Sequence, residues 1–150
     1  MDDLVAWLQE QLAEDERIAR AAANVVGPVR GATDWQVKKS LSDEGGEYWS
    51  ITTTPPDDLV PTVELAGGGM SGGGVHEESV AAHVAAHDPA RVLREIDATR
   101  RLIRAHAKWC EGRCEAKSPE GGFDAAHYWN IKVRAEVYSD RPGYRAEWRP

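Results

Sequence analysis

His76, His83 and His87 follow one another at intervals of seven and four residues, a spacing that sets all three along one side of a helix. Further on, His106, Cys110 and Cys114 repeat at intervals of four. Imidazole nitrogen and thiolate sulfur are ligand types that zinc takes. Folding the two segments against each other would let His83, His87, His106 and Cys110 converge on a zinc-type ion, with Asp88 behind them as an orienting carboxylate or base. The bland reading competes with this one and is preferred. A histidine on an apolar face is usually satisfied by a backbone carbonyl or a carboxylate, His87 helps close a turn at Asp88, and Cys110 is a small buried apolar residue. The set contains no CxxC pair, and His76-Glu77-Glu78-Ser79 fails HExxH because Val80 stands where the second histidine belongs. Beyond this one zinc site no cofactor is expected.

Other chemistry is weaker still. A nucleophilic Cys110 or Cys114 needs a base with an orienting third group; His106, one turn before Cys110, is the base, but nothing supplies the third group. No catalytic residue is assigned, and a non-enzymatic protein is expected. Gly67, Gly69 and Gly72 match GxGxxG, with Asp88 beyond them. A dinucleotide site needs a parallel βαβ unit to return the acidic residue to the ribose, and the residues that follow read as helix with no returning strand. Arg94, Arg100, Arg101 and Arg104 crowd one segment as a candidate basic face for phosphate or nucleic acid. The first sixteen residues are acidic, so complementary fields between two helices are the simpler use of those arginines. Six tryptophans and four tyrosines exceed what a small core needs, and such residues anchor interfaces. Tyr144 and Trp148 are the candidates for an interaction surface.

The elements that must position these residues follow from pattern. Residues 3–23 carry Leu4, Leu8, Leu12, Ala19 and Ala22 near one stripe, with Asp2 or Asp3 to cap the start, which predicts a helix. Residues 34–39 and 47–54, separated by turn chemistry, predict a β-hairpin. A third strand is expected within Leu59–Ala66, confined to an edge by Pro61. Gly67–Gly74 is a flexible connector. A helix from His76 to His87 ends at Asp88-Pro89, where Asp88 caps and Pro89 restarts a helix running to Glu111. Residues 123–138 are ambiguous. Trp129, Ile131, Val133, Ala135 and Val137 alternate like a strand, yet Trp129, Val133 and Val137 also form a helical row. Asp140-Arg141-Pro142-Gly143 is a turn.

At 150 residues one domain spanning 1–150 is expected. A net charge of −7 disfavours general nucleic-acid or anionic-membrane binding. No apolar run approaches the ~20 residues of a membrane span, and the N-terminus lacks a basic region and apolar core of a signal peptide. A cytoplasmic protein with reduced thiols is expected.

Three blocks, MDDLVAWLQEQLAEDERIARAA, HVAAHDPARVLREIDATRRLIRAH and YSDRPGYRAEWRP, about 60 of the 150 residues, resemble the DUF6221 family in that family's order. Within the central block His83, His87, Asp88, Pro89 and Arg91 carry the likeness. The resemblance implies an actinobacterial or phage setting, brings no established activity, and implies a helix before the YSDRPGY turn, which decides 123–138 for helix. The Gly67–Gly74 stretch and the Trp129–Val137 alternation depart from the family's pattern. The expected architecture is therefore α+β: an N-terminal helix, an antiparallel hairpin or short meander, a kinked helical pair and a C-terminal helix. The expected function is binding of another macromolecule or of a second copy, with metal binding and nucleic-acid assistance as alternatives.

Overall fold

A computed structural model describes residues 2–24, 33–41, 45–53, 64–66, 77–110 and 122–150, with backbone alone at 2, 40, 64–66, 109–110 and 122–125. The order is α1 (Asp2–Asn24), β1 (Trp35–Leu41), β2 (Glu47–Thr53), β3 (Glu64–Ala66), α2 (Glu78–Ala86), α3 (Pro89–Cys110), α4 (Gly122–Glu136) and a 3-10 turn at Ala146–Trp148. The fold is α+β, as the patterns predict. Residues 123–138 are helical for most of their length, and the strand-like alternation has no structural counterpart. The Gly67–Gly74 connector and Cys114 lie outside the described residues. The chain forms two compact units, Met1–Asp15 with Glu95–Pro150, and Glu16–Arg94.

The second unit holds the sheet, whose order is β1-β2-β3 with every pairing antiparallel. Trp35 pairs with Thr53 and Leu41 with Glu47. The turn between them includes Gly45 at φ +80, a backbone region that glycine enters without steric cost. Lys39 bonds Glu47 across the pair at 2.8 Å. β3 is an edge strand of three residues, with a register shift against Ile51 and Thr52. From Ser50 to Thr53 every residue of β2 is buried. Successive strand residues point to opposite faces, so both faces of that half are covered. α2 packs against β1 and β2, and Ala81 is its one buried residue.

In the first unit Leu4, Leu8 and Leu12 are buried at successive turns of α1, with Trp7 beside them. Ile96, Thr99, Ile103 and His106 of α3 are also buried, which is the four-and-three repeat of a helix with one inward stripe. Among the described side chains of α4, Ile131 and Ala135 are buried.

Candidate functional site

Within the second unit, the last turn of α2 carries the histidine pair. His83 and His87 are one turn apart, both exposed, with ring centroids 4.3 Å apart. The His87 Nδ1 lies 2.8 Å from the His83 carbonyl oxygen. A carbonyl oxygen only accepts, so Nδ1 carries the hydrogen and the lone pair of the neutral His87 ring sits on Nε2. His76 lies outside the described residues.

Asp88 is the cap that the sequence predicts, and its carboxylate is used on both sides. Oδ1 accepts the Arg91 N–H at 2.7 Å, satisfying a free donor in the first turn of α3. Oδ2 accepts the Trp35 N–H at 3.3 Å, which fastens the start of β1 to the helix restart. The Ala90 N–H reaches the Thr33 carbonyl at 3.1 Å. Arg91 sends its guanidinium back to the Ala86 carbonyl at 3.1 Å, covering one of the carbonyls that the end of α2 leaves open. The Asp88 carboxylate is thus engaged by backbone N–H groups of both α3 and β1.

His106 belongs to the first unit, where it is buried. Its ring neighbour is His127 of α4, at a centroid distance of 6.5 Å. Spacing alone links His106 with Cys110 and does not mark His127. The Cys110 side chain lies outside the described residues. Among the described residues no group of three or more His, Cys, Asp or Glu side chains could hold a metal ion.

The basic residues of α3 are partly neutralised by their own helix. Asp97 pairs with Arg101 at 2.5 Å and with Arg104 at 3.8 Å. Arg94 is exposed and Arg100 half-buried.

Tyr144 and Trp148, the expected interaction anchors, pack on Trp7 of their own chain, with ring centroids 5.5 and 5.3 Å from it. Trp148 is buried. Pro142 and Gly143 occupy the central positions of a turn in which the Tyr144 N–H bonds the Arg141 carbonyl at 3.3 Å. Gly143 has φ +86, as the second central position of a type II turn requires. The Trp7 Nε1 donates to the Pro142 carbonyl at 3.1 Å. Arg141 bonds Asp15 at 2.5 Å and lies 4.6 Å from the Tyr138 ring centroid. Burial, and then a hydrogen bond to Asp15, push the Tyr138 hydroxyl up to about 12. Both effects favour the neutral phenol. The YSDRPGY stretch is therefore a fastening that ties the end of the chain to α1.

Among the described residues α4 carries an exposed apolar row. Ile131 and Ala135 face inward, while Trp129 and Val133 are 55% and 43% exposed, and Val137, just past the helix end, is 72% exposed. Residues four apart share a helix face, so these three form one apolar row opposite the buried one. Lys132, over the Tyr128 ring at 5.3 Å, holds the carbonyls of Glu147 and Arg149 at 3.0 and 3.1 Å.

A family model described as "Family of unknown function (DUF6221)" matches residues 1–150. No curated protein and no solved structure matches the chain. Among the described residues no helix is long and apolar enough to cross a membrane.

Proposed function

We propose, from the premise that this chain belongs to the DUF6221 family of unknown function, that it works by docking protein rather than by catalysis, and that its partner is a second copy of itself. One observation carries the reading: an apolar row along α4 faces solvent. Trp129, Val133 and Val137 place an indole and two branched side chains in line at exposures of 55%, 43% and 72%. Aromatic residues set in apolar surroundings are the usual anchors of interfaces. The row also suits a two-fold contact, in which one patch meets its own copy. Antiparallel pairing of two α4 helices about Val133 would set each Trp129 against the other chain's Val137, large against small. A cytoplasmic setting and an actinobacterial or phage origin belong to the same proposal, on the strength of the acidic composition and the three family-like blocks.

Light scattering over a concentration series tests this. The mass should rise from the 16.5 kDa of the chain toward twice that value, and the Trp129→Glu, Val133→Glu double variant should stay monomeric with unchanged far-UV circular dichroism. A wild-type chain that remains monomeric at the highest concentration overturns self-docking.

A further inference from the structure

We infer that His83 and His87 form a two-histidine site for a divalent late transition-metal ion, the zinc, nickel or copper class, on the last turn of α2. The inference is independent of the docking face and drops two of the four ligands that the sequence suggested. Both side chains are exposed on one helix turn with ring centroids 4.3 Å apart. Two nitrogens on one tetrahedral ion stand about 3.3 Å apart, given metal–nitrogen bonds of 2.0–2.1 Å, so small ring rotations bring this pair to ligand distance. The bond from His87 Nδ1 to the His83 carbonyl does what metal-ligating histidines need done. It fixes the tautomer and leaves the Nε2 lone pair for the ion. The negative end of the α2 dipole lies at this turn and favours a cation. Two charged groups stand close by. The Arg91 guanidinium, bonded to the Ala86 carbonyl, opposes a cation. The Asp88 carboxylate, whose oxygens accept backbone N–H groups, offsets it. Imidazole selects zinc, copper and nickel over calcium and magnesium, and the coordination positions left over fall to water.

The same turn is also where bracing would register. α2 has nine residues, no side-chain cap at Glu77 and one buried side chain. Helices this short are marginal without such support. An ion shared by residues four apart closes the last turn as a clamp.

The test is calorimetric titration of tag-free full-length protein with Ni2+ and, separately, Zn2+, alongside amide hydrogen exchange. The expected result is one ion per chain. Affinity should weaken at least tenfold in His83→Gln and in His87→Gln alike, while His106→Gln stays unchanged. Exchange of the α2 amides should slow when Ni2+ is added and return when it is chelated. Because both residues are exposed, the two variants keep the fold, which circular dichroism checks. Unchanged affinity in either single variant, or no heat with both ions, overturns the site. A tenfold loss in His106→Gln overturns it too, in favour of a larger ligand set.

Discussion

Gly143 shows what a single residue can fix. Its φ of +86 excludes ordinary side chains, and a Cβ built on it would lie 3.0 Å from the Trp7 Nε1 and 3.2 Å from Cδ1. Trp7 is pinned by its bond to the Pro142 carbonyl and by two aromatic neighbours, so the indole has little room to give. Gly143→Ala should lose about 2 kcal/mol in denaturant unfolding, from backbone strain together with the close contact. Tyr144 presents the opposite case. Its hydroxyl is buried without a hydrogen-bond partner among the described residues. A stranded buried donor costs about 1–3 kcal/mol, so Tyr144→Phe should leave stability unchanged or raise it in the same experiment. Tyr138 adds a pH signature. Its folded pKa of about 12 lies above the ordinary value of 10.0, so folding favours the protonated phenol. That contribution is whole below pH 10 and is lost as pH rises from 10 through 12. Phenolate absorbance should show a late step from Tyr138. Tyr138→Phe should remove the late step and flatten the alkaline fall in stability.

Among the elements, the α2–α3 corner rests on one side chain. Asp88 caps α3 and holds the first amide of β1, so Asp88→Ala removes two bonds from part-buried backbone donors. A loss of about 1–2 kcal/mol is expected from the cap, with Asp88→Asn milder because its amide oxygen still accepts. Hydrogen exchange should show the loss both at the start of α3 and at Trp35. The cap and restart at this corner were legible in sequence, because Asp-Pro is local chemistry: a side chain that caps and a ring that fits the first helical turn; the bond from the Trp35 amide, 53 residues away, was not. α1 and the β1–β2 hairpin were legible for the same reason. α4 was legible only in part. Two periods coexist in Trp129–Val137, and the choice of helix came from the family likeness. Periodicity then names a row without saying which side it faces. Trp129 and Val133 look like core yet lie outside, because Ile131 and Ala135 take the inner positions. His127 stands 21 residues from His106, in that same ambiguous segment, so nothing local marked the two as neighbours. His83 and His87 were visible as a pair from spacing, but the bond that sets the His87 tautomer depends on ring orientation, which no spacing carries.

At the scale of the whole molecule, charge and docking pull in opposite directions, and salt separates them. Each chain carries a formal net charge of −7, so two copies repel as they approach. The row meant to join them, Trp129, Val133 and Val137, carries no charge of its own. Raising the salt from about 10 to 150 mM shortens the screening length from about 30 to 8 Å. For two such charges some 35 Å apart, Coulomb's law with that screening removes an opposing energy on the order of 1–2 kcal/mol. Apolar contact is little changed at these concentrations. The dimer formed through α4 should therefore tighten on the order of tenfold across that range, measured by sedimentation equilibrium at fixed pH. A contact made by the arginines of α3, or any binding to nucleic acid, would weaken with salt as ion pairs are screened and counterions are no longer released to advantage. Asp97, already paired with Arg101 and Arg104, argues for the first direction. A dimer that loosens as salt rises would move the docking surface from α4 to the charged face of α3.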